Sequence, residues 1–320
     1  MPRPSPHVEP LVLDRSAADY DLATVRRALA ARDWATAAGV VARQPGDTRT
    51  RMISWAGEDA DRAFLAGVHA ADPADSTAAA MLAERMITDA WEVRTAQRAV
   101  HVSAEQFTRF HAMLRETEEL LVEATARQPA DPALWTLRLI TARGLQLGEA
   151  EARRRYAALA AVDPCPVTGQ LLLLQQLCPK WGGSLEAMHA FAAESTMAAP
   201  EGAHTAQLVA EAHFEHLVEL PERERMDFLH SRQVREALQW GAHRSVLHPR
   251  FARTLGWVGV ANSFAMLLTL ADDVRTADQL FTMLGPWVSP HPWDMIDDDP
   301  LAGFRSVRER AAVARRYRWS

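Results

Sequence analysis

Apolar residues recur at intervals of three and four along most of the chain, and no stretch shows the two-residue alternation with β-branched enrichment that marks a strand. The pattern predicts an all-α protein. Residues 1–15 carry prolines with little to pack and read as a flexible N-terminal tail. Leu22, Val25, Ala28 and Leu29 then open a helix, and Asp33 stands where it can cap a second one carrying Trp34, Ala37, Val40 and Val41, which Pro45-Gly46 ends. Further helices are predicted at about 48–71 and at 76–98, starting from Ser76. Ser103 and Gln106 have the spacing of a capping box, in which the hydroxyl accepts from one unpaired amide and the glutamine returns to another; that helix should run to about Gln128.

From there the chain has a rhythm. Asp131-Pro132, Asp163-Pro164 and Pro200 follow one another at nearly even intervals, with a helix–turn–helix between each pair. The interval is close to the roughly 34 residues of a tetratricopeptide unit, whose two helices must stack on neighbours to bury their apolar faces. Trp135, Leu139 and Ala142 fill the first helix of the 131–163 unit, and Tyr156, Ala157 and Ala160 the second. A later echo pairs Ala261, Ala265 and Leu268 with Ala277, Leu280 and Phe281 across an acidic turn at Asp272-Asp273. The expected architecture is a single domain over 16–320, tetratricopeptide-like hairpins stacked as a compact α-solenoid of about 12–15 helices. The apolar run Leu255–Ala271 contains Asn262, Ser263 and Thr269 and falls short of the roughly 20 residues a membrane span needs. It reads as a buried helix.

The segment PKWGGSLEAMHAF from Pro179 to Phe191, with ANSFAMLLTLADDVRTADQLFTMLG downstream, resembles an uncharacterised bacterial family of tetratricopeptide-like helical-repeat proteins with a KWGGS turn. The likeness covers Leu171–Phe191 and Ala261–Trp287, about a third of the chain. It implies an α-solenoid-like fold and no particular activity, and it brings no functional residues with it.

Composition narrows the function classes. Of 35 basic residues only Lys180 is a lysine, and alanine is the most frequent residue of the chain, a bias that suits helices. A formal net charge of −6 gives no overall basic field, so nucleic acid is not an expected partner except through a local patch. Cys165 and Cys178 are too few for a disulfide framework, and the opening residues MPRPSPHVEP lack the apolar run of a secretory signal. Together these point to a cytoplasmic protein with no membrane contact.

Lys180 gives the KWGG segment its interest. Gly182 and Gly183 permit positive φ, Ser184 can cap the next helix and Trp181 can fill the space beneath, which explains the turn structurally; alternatively Lys180 and Trp181 line a pocket where the ammonium holds an anion. Histidines concentrate nearby in sequence, seven of twelve lying from His189 to His248. On the 204–220 helix, a turn of roughly 100° per residue sets His204, Glu211 and Glu215 on a solvated face, a weak metal-ligand set, and places His213 in the apolar stripe with His216 at its edge. His189, His213 and His216 with Lys180 and Trp181 form the candidate pocket, as acid–base groups or ligands.

Asp272, Asp273 and Asp278 superficially resemble a magnesium-binding aspartate motif, but capping explains the turn pair without a metal. Asp297, Asp298 and Asp299 before Pro300 signal the start of a last helix with six arginines. Arg305, Arg308, Arg315, Arg316 and Arg318 there make a candidate basic docking surface. There is no P-loop, GxSxG elbow, GxGxxG turn or HExxH pair, and no cofactor is expected. The leading expectation is a helical-repeat protein that holds a protein or peptide partner in a concave groove. The alternative is an enzyme or a small-molecule or metal binder using a histidine-rich pocket around residues 180–248.

Overall fold

A computed structural model describes residues 10–94 and 103–317, with residues 314–317 described by backbone alone. Among the described residues there are sixteen α-helices and no β-strand, so the chain is all-α, with more helices than the 12–15 expected. Part of the excess comes from the predicted helix at 48–71, which is two. Asp61 ends the continuity by accepting the Phe64 amide at 2.8 Å and capping a new helix. By its contacts the chain divides into two units, one of residues 20–195 and one that joins residues 196–320 to those up to Asp19. A single continuous domain over 16–320 is therefore not the division the contacts give.

The first unit comprises α1 (Tyr20–Ala30), α2 (Trp34–Ala42), α3 (Gly46–Gly57), α4 (Arg62–Ala71), α5 (Ser76–Arg94), α6 (Ala104–Arg127), α7 (Pro132–Gly144), α8 (Glu149–Val162), α9 (Val167–Gln176) and most of α10 (Leu185–Ala198). Of the predicted 76–98 helix, residues 95–98 lie outside the described residues. The capping box forms as predicted, with both Ser103 and Gln106 bonded to each other's backbone amides. So does the α7–α8 hairpin, where Asp131 caps α7 ahead of Pro132. α7 also packs on α3, α5, α6 and α9, so its contacts are not confined to chain neighbours. Polar ties hold this arrangement. Asp131 receives Arg49 of α3 at 2.9 and 3.0 Å and Ser76 of α5 at 2.6 Å, and the Asp47 carboxylate accepts the Thr168 amide 121 residues away at 2.7 Å.

The second unit comprises α11 (Gln207–Glu219), α12 (Glu222–His230), α13 (Arg232–Arg244), α14 (Trp257–Leu270), α15 (Val274–Leu284) and α16 (Pro300–Tyr317). α14 is the buried helix foreseen in the Leu255–Ala271 run; Phe264, Ala265 and Leu268 have no exposed surface. No described helix is long and apolar enough to cross a membrane. Trp293 and Phe304, both fully buried, pack edge to face at 5.2 Å, and Phe281 meets Phe304 at 5.4 Å. The Asp272-Asp273 turn joins α14 to α15 as predicted, with Asp273 accepting the Thr276 amide.

The described part of the predicted tail is paired with the second unit. The Val12 amide donates to the Pro286 carbonyl at 2.8 Å, the Val288 amide returns to the Val12 carbonyl at 2.9 Å, and Leu11 and Leu13 pack against the core of the second unit. An extended segment can pair its backbone with a loop and bury alternate side chains.

Candidate functional site

The KWGG segment forms a turn. Pro179–Trp181 form one 3₁₀ turn, Gly182 takes φ 89°, and the Gly182 and Gly183 amides donate to the Pro179 and Cys178 carbonyls. Gly183 does not have positive φ; it is required because a Cβ there would lie 2.1 Å from the Leu177 carbonyl oxygen. The Ser184 hydroxyl accepts the Ala187 amide and caps α10. Lys180 is exposed, and half-buried Trp181 lies under the Arg143 guanidinium, 5.6 Å from ring centroid to carbon. These two and half-buried His189 belong to the first unit, whereas His213 and His216 belong to the second. The five residues of the candidate pocket thus divide between two units.

α11 departs from its predicted amphipathic form. All nine residues from Gln207 to Glu215 are buried, so Glu211 and Glu215, at 8% and 6% exposure, do not form a solvated face. A helical wheel assumes one packed side, but α11 is packed by α12, α13 and α14. Gly241 of α13 permits close approach, since a Cβ there would lie 3.3 Å from that of Val209. His204 is not on this helix at all; it sits in a preceding 3₁₀ turn, stacked on Phe251 at 4.9 Å, with Nε2 2.9 Å from the Ala252 carbonyl.

His213, expected to line a pocket, is buried within the apolar stripe. Its Nδ1 donates to the Val209 carbonyl at 2.7 Å, and burial holds its pKa below the ordinary 6.5. Burial lowers the His216 pKa as well, and its ring rests 4.3 Å from that of Phe228.

The concentrated electrostatics lie where Glu211 meets a residue that sequence reasoning passed over, His291. One Glu211 oxygen accepts from Ser263 at 2.8 Å and Gln207 at 3.3 Å, and the other receives His291 Nε2 at 3.0 Å. His291 Nδ1 lies 3.7 Å from Asp294. Burial works against both charges, yet the pairing prevails: Glu211 is held below its ordinary 4.5 by the His291 hydrogen bond and charge, and His291 above its ordinary 6.5 by Glu211, with Asp294 and Glu215 adding to the effect. Ser263 donates to the carboxylate, so it and His291 are not set as a nucleophile–base pair. Among the described residues no group of three or more His, Cys, Asp or Glu is placed to hold a metal ion.

What this pair does is anchor a segment. Two residues on, Trp293 enters the core and donates Nε1 to Asn262 at 2.6 Å, so residues 291–293 are tied to both α11 and α14. The chain then turns outward, exposing Met295 (56%) and Ile296 (40%) among the exposed Asp294, Asp297, Asp298 and Asp299. Asp297 accepts the Asp299 amide, and Asp299 accepts the Leu301 amide, which starts α16 as the Asp-Pro signal predicts.

Arg305 is exposed, but Arg308 donates to the Gly285 carbonyl at 3.1 Å and lies over the Phe304 ring at 5.8 Å, so packing already occupies it. The side chains of Arg315 and Arg316, and all of Arg318, lie outside the described residues. His291 had one sequence signal, its place in Ser-Pro-His-Pro-Trp, a stiff stretch ending in an aromatic residue. Its partner is 80 residues away and could not be read from spacing.

Compared with known proteins, the chain matches no family model, no curated protein and no solved structure.

Proposed function

We propose that this is a helical protein that binds a protein or peptide partner, and that the partner's docking segment is basic and apolar. The observation that carries this reading is the pinned presentation of Met295 and Ile296. Exposed apolar residues on a loose loop can fold away, but here His291 and Trp293 fix the segment on one side and the start of α16 fixes it on the other. Four exposed aspartates around two exposed apolar side chains fit an apolar anchor flanked by arginine or lysine. The hairpins α7–α8 and α14–α15 support a tetratricopeptide-like origin for the scaffold, and two free cysteines support a reducing compartment, the cytoplasm by this reading.

Peptide display selection on the whole chain tests this, run in parallel on a double variant, Met295→Ser with Ile296→Ser. The expected winners pair apolar with basic residues, lose at least about tenfold in affinity on the double variant, as truncation of a central anchor should cause, and weaken with salt. Winners that are acidic, or that bind both proteins alike, would refute the docking surface.

A further inference from the structure

The chain itself contains a segment that is both basic and apolar. Residues 315–319 read Arg-Arg-Tyr-Arg-Trp, three cations interleaved with two aromatic rings, in a chain of formal net charge −6. The backbone of α16 runs through residues 315–317, and its other end starts from the loop that exposes Met295 and Ile296. His291, 3.7 Å from Asp294, offsets one carboxylate of that loop; Asp297, Asp298 and Asp299 remain exposed, although Asp297 and Asp299 each accept a backbone amide. Three exposed anions with two apolar side chains thus stand at one end of a helix, and three cations with two aromatic residues follow at the other.

One chain cannot join these two ends by itself while α16 is intact. The loop is held against the first turns of the helix, where a Cβ on Gly303 would come within 2.9 Å of the Trp293 carbonyl oxygen. From Gly303 to Tyr317 an α-helix rises about 21 Å, and the two residues on to Trp319 span at most about 7 Å. That leaves a gap of about 14 Å. The outward face of α16 carries Arg305, Glu309 and Val313, all exposed and four residues apart, so they line up on the helix surface. Arg310 is exposed too but is turned by roughly 100° from Glu309.

Resting on the reading of this loop as a docking surface, we propose that its partner is a second copy of the chain, with residues 315–319 of each copy seated on the loop of the other. Two α16 helices laid side by side and antiparallel bring this about. A register that sets residue 315 level with Asp299 sets residues 316–319 about level with 295–298 and, at the same time, Arg305 level with Glu309. Each ionic contact is then made twice, as a two-fold interface requires. Tyr317 and Trp319 supply apolar area for Met295 and Ile296, and three arginines face three aspartates. The arrangement closes at two copies.

Sedimentation velocity on the whole chain, at about 1–100 µM and in low and high salt, tests this. A dimer and nothing larger is expected, with a Kd below about 50 µM that rises at least about tenfold in high salt. Reversing the basic segment (Arg315→Glu, Arg316→Glu, Arg318→Glu) or the loop (Asp297→Lys, Asp298→Lys) should each give a monomer, because like charges then meet. Mixed in equal amounts, the two variants should dimerise again, since glutamate meets lysine at one end of the pair and arginine meets aspartate at the other. Such rescue cannot come from a contact within one chain. A wild-type monomer at about 100 µM, assembly beyond two copies, dimers indifferent to either reversal, or no rescue on mixing variants that keep the wild-type melting midpoint would each overturn the proposal. If the chain is monomeric while the selected peptides are still basic and apolar, the docking surface stands and its occupant is not this chain. Selected peptides that ignore the Met295→Ser, Ile296→Ser double variant refute the surface and this pairing together.

Discussion

His213 and His291 belong to one unit of the fold and are driven in opposite directions. Burial pushes the His213 pKa down, whereas that of His291 is pushed up against burial by Glu211, with Asp294 and Glu215 assisting. Histidine proton NMR should therefore find His213 titrating below 6.5 and His291 above it. The consequences for stability have opposite signs. Because the unfolded chain takes up the His213 proton first, this residue lowers stability as pH falls below 6.5 towards its folded pKa. The His291 contribution is present in full below 6.5 and is lost as pH rises through its raised folded pKa. The lowered Glu211 pKa adds stability that is present above 4.5 and is lost on acidification through its folded value. In His291→Gln the alkaline loss should vanish from a pH series of denaturant melts; its persistence over the same interval would remove His291 from the account. The burial of His213 was legible from its place in the apolar stripe. That of Glu211 was not, because a wheel drawn from one helix cannot show how many neighbours surround it.

At the scale of helices, the first unit is locked by one carboxylate serving three elements. Glu118 of α6 accepts Arg138 of α7 at 3.0 Å and Arg155 of α8 at 2.9 Å, and also receives the Thr141 hydroxyl. Arg155 is 3% exposed and also pairs with Glu151, whose pKa is lowered to about 2, chiefly by the Arg154 hydrogen bond, against burial, with Arg155 assisting. Arg155→Ala should cost about 3 kcal/mol, the lower end for breaking a buried pair and leaving its partner underserved. Arg153→Ala, which removes an exposed pair with Glu149, should stay within about 0.5 kcal/mol. Equal midpoints for the two variants in urea would show that the Glu118 junction contributes nothing special. Local signals made the α7–α8 hairpin and the Ser103 cap readable in advance. The junction that orders them was hidden, since Glu118 and Arg155 stand 37 residues apart in an arginine-rich sequence with many candidate partners.

For the whole molecule, the principal departure from the repeat reading is the path of the chain. A regular helical-hairpin period implies units that follow one another, each resting on the next. Here the segment before α1 belongs with residues 196–320, and Leu11 and Leu13 complete a core whose buried members begin only at Ala210. Prolines and a low density of apolar residues made that segment look idle, although two leucines alternating about a valine are enough for an extended clip. Deleting residues 1–13 should therefore destabilise the second unit by about 2 kcal/mol, less than the full value of two buried leucines because both are only partly covered. Val12→Pro separates the contributions of backbone and side chains. It removes the amide that donates to Pro286 while leaving Leu11 and Leu13 in place, and should cost about 1 kcal/mol. Hydrogen exchange gives the local check, because the Val288 amide is bonded to the Val12 carbonyl and should lose protection in the deletion. Unchanged protection at Val288 together with an unchanged unfolding midpoint would return residues 11–13 to the role of a tail.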